Sequence, residues 1–155
     1  IAELEHAVMA APHERDAQLN LGRAYAGAGQ WTEAHTVFER VLADDPDNGD
    51  ALYHLGLVQM ERGEPGRART LFERVLARDP GNIDARERLA AAHFVVGRYG
   101  AALEHLQEVA RNRPGDAALK AALAEALFQT GSLDAAYAAA QSALALPRRA
   151  ARQAQ

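Results

Sequence analysis

The stretch Phe38–Asn48, FERVLADDPDN, returns as Phe72–Asn82, FERVLARDPGN, with only two positions changed. The offset is thirty-four residues, and it runs through the whole chain. Pro12, Pro46, Pro80 and Pro114 keep it, and so do Gly29, Gly63, Gly97 and Gly131. A period of this size marks supersecondary units that cannot bury their apolar faces alone, so neighbours must stack into a solenoid.

Sliding Arg15–Asn48 by one period aligns it with 49–82, then 83–116, then 117–150. One column reads Leu21, Leu55, Leu89, Leu123, and the next Gly22, Gly56, Ala90, Ala124. Later columns read Ala34, Ala68, Ala102, Ala136, then Phe38, Phe72, Leu106, Ala140, then Val41, Val75, Val109, Ala143. Large residues fill the core and small ones let helices touch. Each repeat holds two helices. In the first, Leu21, Ala24, Tyr25 and Ala28 follow the three-and-four spacing of a buried face, and Gly29 ends it by accepting a left-handed conformation. The second is expected to open with Thr32 as N-cap, to bury Ala34, Val37, Phe38, Val41 and Leu42, and to close before Pro46. Asn48, Asn82 and Asp116 then cap the following first helices. With about 13 residues per helix, each roughly 20 Å long, none is stable alone in water.

Composition narrows the function. The chain has 155 residues, 48% of them hydrophobic and only 6% aromatic, which suits an alanine- and leucine-rich helical protein. A formal charge of −4 without a basic stripe argues against nucleic acid. No run of about 18 apolar residues is present to span a membrane. Cysteine is absent, which removes disulfides and thiolate metal sites and leaves the compartment unassigned. Lys120 is the single lysine among seventeen Lys and Arg residues, a bias that reads as the codon usage of a GC-rich, bacterial genome.

Chemistry-bearing motifs fail on register. His13 and Glu14 begin a zincin-like pattern, but the second histidine's place holds Ala17. In the acidic run Asp44–Asp50 (DDPDNGD) neither Asp44 nor Asp45 as the first position gives both the glycine and the closing glutamate of a calcium loop. Gly27 and Gly29 follow a helix rather than a strand and lack a third glycine. Ser132 and Ser142 stand outside any nucleophile-elbow context. The sequence thus predicts no cofactor, no metal and no catalysis.

The columns Gly22, Tyr25, Ala34, Phe38 and Pro46 resemble the tetratricopeptide repeat, and the resemblance covers nearly all of the chain. Departures fall in the tryptophan slot, held by Gln18, Leu52, Arg86 and Lys120, and in the tyrosine slot, which drifts to Gln59, His93 and Leu127. The resemblance implies an all-α, right-handed α-solenoid of antiparallel helix pairs, with four full repeats and a preceding half repeat. The expected divisions are 1–14 (second helix of a truncated repeat), 15–48, 49–82, 83–116, a degenerate 117–150, and a tail at 151–155. In the last repeat Ala140 replaces the large aromatic and Pro147 comes one residue early, so its second helix is expected over Asp134–Leu146. The segment Ile1–Ala10 begins mid-repeat. It leaves Ile1, Leu4 and Val8 partly uncovered, which predicts an upstream repeat or end-to-end self-association.

In the resembled family first helices line a concave groove. Carried over column by column, the expected partner-binding positions are Asn20 and Arg23, then Tyr53, His54 and Leu57, then Glu87, Arg88 and Ala91, then Ala122 and Glu125. Asp16, Asp50 and Asp84 recur in first turns, where the helix dipole favours a carboxylate by roughly 0.3–1 kcal/mol, and read as structural. Trp31 shares a column with Pro65, Tyr99 and Leu133 and reads as packing. The clamp with which some family members grip chaperone tails matches only at an arginine among Leu19, Arg23, His54, Asp84 and Arg88. The leading expectation is a protein-interaction scaffold whose groove holds a peptide or helix of a partner protein. The alternatives are a self-assembling structural segment and the substrate-recruiting arm of a larger enzyme.

Overall fold

The computed structural model describes residues 1–11 and 14–152. The calls on Pro12, on His13 and on the end of the tail, 153–155, lie outside the described residues, as does the side chain of Pro147. The described residues form helices and turns only, in two compact bodies, 1–85 and 86–155. The N-terminal body holds α1 (Ala2–Ala10), α2 (Arg15–Gly27), α3 (Trp31–Asp44), α4 (Gly49–Glu61) and α5 (Pro65–Arg78). It also takes the first residues of α6 (Ile83–Val95). The rest of α6, α7 (Tyr99–Asn112), α8 (Ala117–Gln129) and α9 (Leu133–Arg152) make the C-terminal body.

Punctuation follows the glycine and asparagine columns. Gly29, Gly63, Gly97 and Gly131 carry φ of 73° to 82°. That conformation turns the next amide back onto the helix just ended, so Gln30 N donates to Tyr25 O at 2.9 Å and Ser132 N to Leu127 O at 2.8 Å. Asn48 Oδ1 accepts from Ala51 N at 2.9 Å, Asn82 Oδ1 from Ala85 N at 2.9 Å, and Asp116 Oδ1 from Leu119 N at 3.1 Å. Each satisfies one of the orphan amides of a helix start. Asn48→Ala is expected to cost about 1 kcal/mol in urea unfolding, and Asn48→Asp to restore most of it; equal stability of all three proteins would contradict the capping role.

Two expected boundaries are corrected. Thr32 is not an N-cap, because α3 starts at Trp31 and the residue before it, Gln30, makes no side-chain cap bond. The glycine turn leaves so short a connection that Thr32 already lies in the first turn, its carbonyl accepting from Thr36 Oγ1 at 3.0 Å. The last helix does not close at Leu146 but continues through Pro147 to Arg152. Pro46, Pro80 and Pro114 are followed two residues later by Asn or Asp, whereas Pro147 is followed by Arg148, Arg149 and Ala150. Without a capping side chain to start a new helix, these strong helix formers extend the old one.

The N-terminal core gathers Leu19, Ala34, Phe38, Val41, Ala51, Leu55 and Val58, with Trp31 and Tyr25 packed against it half-buried. Trp31 is therefore a packing residue. Phe38 and Phe72 are fully buried, and their rings press against the glycines of the facing first helix. A Cβ on Gly22 would stand 2.6 Å from Phe38 Cε1, and one on Gly56 2.5 Å from Phe72 Cε1. In the C-terminal body the buried equivalents are Ala90 and Leu106. Knob and hole change size together. Tyr25 Oη donates to Glu5 Oε1, tying α1 to α2, and this hydrogen bond, with burial second, raises the pKa of the phenol above its ordinary value.

Candidate functional site

In the N-terminal body the candidates are on α2 and α4. Asn20 and Arg23 are exposed on α2; Tyr53, His54 and Leu57 are half-buried on α4. Arg23 Nε donates to His54 Nε2 at 3.0 Å, and Arg23 Nη2 lies 3.5 Å from Asp50 Oδ2. The His54 ring stacks on Phe38, with centroids 5.6 Å apart and planes 12° apart. Tyr53 sets its edge against His54 at 5.4 Å and packs on Phe72 at 5.9 Å. Sequence reasoning left Tyr53 and His54 with no packing role, and the structure gives them one as the outer layer over the two buried phenylalanines.

Beside them lies a hollow of about 480 Å³. Its walls are Asp50, Tyr53 and His54 of α4, Val75 and Arg78 of α5, and Asp79, Asn82 and Asp84 around the next turn. Arg78 is turned to Asp47, 3.0 Å away. The hollow is thus polar and acidic with one aromatic wall, a shape for a hydrogen-bonding or cationic side chain.

His54 is held neutral. Burial lowers its pKa from the ordinary 6.5, the Arg23 guanidinium lowers it further, and Asp50 opposes them. The geometry agrees, since an Nε2 that accepts from Arg23 cannot also carry a proton. A folded-state pKa below the unfolded one means that the unfolded chain takes up the proton first. The His54 contribution is therefore complete above about pH 6.5 and is lost as pH falls from there through the folded value. The expected result is that the melting temperatures of the wild type and His54→Asn converge between neutral pH and pH 5; parallel curves would overturn it.

In the C-terminal body α6 carries Glu87, Arg88 and Ala91, and α8 carries Ala122 and Glu125. A hollow of about 450 Å³ opens between these helices and α7. Glu87, Ala91, Ala122 and Glu125 all line it, with Ala90, Phe94, Val95, Leu106, Ala118 and Leu119. Four of five candidates are thus brought together, and Arg88 stands exposed outside. Glu87 Oε2 accepts from Arg113 Nη1 at 2.7 Å, and Glu125 Oε1 from Gln129 Nε2 at 2.8 Å, so both carboxylates are engaged at the rim of an apolar floor. Sequence reasoning missed Phe94 and Val95, the latter 64% exposed. Their columns run Ala26, Met60, Phe94, Phe128 and Gly27, Glu61, Val95, Gln129. The signals were an apolar column that grows from alanine to phenylalanine and a single valine in a column otherwise of Gly, Glu and Gln.

A third hollow, about 600 Å³, lies between α8 and α9, and half of its lining residues are alanines. Among the described residues no group of three His, Cys, Asp or Glu is placed to hold a metal ion, and no helix is long and apolar enough to cross a membrane.

Two family models, both described as tetratricopeptide repeat, match residues 19–83 and 96–155. Solved structures of MamA share the fold. One, described as "Crystal structure of MamA", aligns with a TM-score of 0.88 at 21% identity, over 96% of this chain and 87% of that one. A second, from MamA MSR-1, aligns with a TM-score of 0.84 at 28% identity, over 95% of this chain and 84% of that one. No curated protein matches the chain by sequence.

Proposed function

Because the chain belongs to the tetratricopeptide repeat family, a family of protein-interaction scaffolds, we propose that its first helices hold a peptide or helix of a partner protein and that it acts by presenting this surface, without catalysis. The observation that carries the reading is the hollow between α6 and α8, where four of the positions assigned to partner binding from the sequence share one cavity. An apolar floor with engaged carboxylates at its rim suits a buried aliphatic or aromatic anchor surrounded by polar contacts. The N-terminal hollow at Tyr53 and His54 suits a polar or cationic side chain. Ordering a flexible segment costs about 2–5 kcal/mol, which sets the expectation at micromolar affinity.

The test is capture from a lysate of the source organism with three baits: wild type, Tyr53→Ala/His54→Ala, and Ala91→Glu/Ala122→Glu, each confirmed folded by circular dichroism. A protein retained by wild type and lost with the Ala91→Glu/Ala122→Glu bait is the expected outcome. Equal retention by all three would refute the reading.

A second reading is end-to-end self-association through α1, favoured by Ile1 and Met9, which are 44% and 78% exposed. It requires a sedimentation coefficient that rises with concentration and stops rising in Met9→Glu.

A further inference from the structure

The chain holds four asparagines, and only Asn48 is followed by glycine. Asn20 precedes Leu21, Asn82 precedes Ile83 and Asn112 precedes Arg113. The carbonyl carbon of an asparagine side chain lies within reach of the next backbone nitrogen, and the approach is least hindered where that next residue has no Cβ. Gly49 is the first residue of α4, so its amide has no intrahelical carbonyl to bond, and the residue is exposed. The fold opposes the reaction through the other partner. Asn48 Oδ1 accepts from Ala51 N at 2.9 Å, and Asn48 Nδ2 donates to Asp45 Oδ2 at 3.2 Å, so the half-buried side chain is held at both of its polar ends.

We propose that Asn48 is a site of spontaneous deamidation, gated by the opening of the α4 cap. Once the two side-chain bonds part, the Gly49 nitrogen loses its proton to solvent and attacks Asn48 Cγ. The Cγ–Nδ2 bond breaks, and the amide leaves as ammonia, taking up one proton in exchange for the one released. The five-membered succinimide that results is opened by water at either carbonyl. Attack at Cγ gives aspartate on an unchanged main chain. Attack at the main-chain carbonyl gives isoaspartate, in which the chain runs through Cγ. One water is consumed and one ammonia released, with no oxidation or reduction. The two products act differently on α4. Aspartate can go on capping, as Asp116 does from the equivalent position with Leu119 N at 3.1 Å. Isoaspartate puts an extra carbon into the main chain between α3 and α4 and takes the carboxylate away from Ala51 N. Asn82 provides an internal control. It makes the same cap, Oδ1 accepting from Ala85 N at 2.9 Å, but a β-branched Ile83 stands where Gly49 stands. This modification is independent of the partner-binding reading.

The whole chain and a synthetic peptide 41–62, too short to hold a helix and its cap in water, are incubated together at neutral pH. Samples of the chain are cut with trypsin, which releases 41–62 and 79–86 as separate peptides. Mass spectrometry with electron-transfer fragmentation then reads the conversion and tells aspartate from isoaspartate. The expected result is that Asn48 converts in the whole chain about ten-fold more slowly than in the free peptide, the order of what a capping bond is worth, while Asn82 keeps its amide. Gly49→Ile, which copies the second repeat, is expected to stop the conversion. Gly49→Ala, whose Cβ meets nothing within 4 Å, slows it and covers the case in which the isoleucine variant does not fold. Equal rates in chain and peptide would mean that the cap is no gate. No conversion in the chain once the peptide has fully reacted would mean that the site is closed. Asn82 converting as fast as Asn48, or Gly49→Ala converting as fast as wild type, would remove the role of the glycine. Any one of these overturns the proposal.

Discussion

Phe72→Ala is expected to lower the unfolding free energy by about 3–5 kcal/mol, at the upper end of what a single core truncation costs. The ring is fully buried, covers Gly56 and carries the edge of Tyr53 on its outer side. Truncation removes the transfer energy of the phenyl group and also leaves a void, and the cost of a void depends on whether its walls can collapse. Here one wall is a glycine on a helix backbone, which has no side chain to move in. The fourth repeat displays the outcome, because Ala140 faces Ala124 there and the hollow of about 600 Å³ lies beside them. Urea unfolding followed by circular dichroism measures the effect. A loss under 1 kcal/mol would mean that the helices close over the gap, contrary to the argument.

Gly22→Ala is expected to destabilise by about 1–3 kcal/mol, although alanine in a helix interior is intrinsically favoured over glycine by about 1 kcal/mol. The added Cβ would sit 2.6 Å from Phe38 Cε1 and 2.7 Å from Cζ, well inside the contact distance of carbon atoms. A ring with no exposed surface cannot swing away, so α2 and α3 must separate. Overpacking therefore wins over propensity. Phe38→Leu should recover much of the loss when combined with Gly22→Ala, because the pair then copies Ala90 and Leu106. A double-mutant cycle reads that coupling directly. Gly66→Ala, where nothing stands within 4 Å of an added Cβ, is the control and should not destabilise. If Gly22→Ala behaves like Gly66→Ala, the close approach has been misjudged.

The fold was legible because its determinants are local and repeat. Positive-φ glycines, capping Asn and Asp residues and the Leu, Ala and Phe columns act within a few residues of themselves, so spacing alone locates them. Thr32 and Pro147 misled for the same reason. A good capping residue and a helix breaker were read by type, whereas the outcome depended on what stands beside them, a turn closed at Gly29 in one case and a missing Asn or Asp in the other. The candidate site was legible as a set of columns and not as a set of interactions. Periodicity placed Glu87, Ala91, Ala122 and Glu125 on facing helices, and they meet. It could not show that His54 lies on Phe38 and bonds Arg23, because those contacts join residues sixteen and thirty-one positions apart through packing. Nor could it show that Phe94 lines the hollow half-buried with Val95 exposed beside it.

The matched sizes of knob and hole also set an order in time. From the first repeat to the fourth the pair shrinks from glycine with phenylalanine, through alanine with leucine, to alanine with alanine. Each step removes apolar contact between the two helices of one repeat, and local opening is governed by such contact. Among the four helix pairs the last is therefore expected to exchange its amide protons with solvent first, while those of α3 and α5, under their phenylalanines, exchange last. Within the repeats, opening is then expected to begin at the last pair and to expose its apolar faces before the pairs closed by phenylalanine come apart.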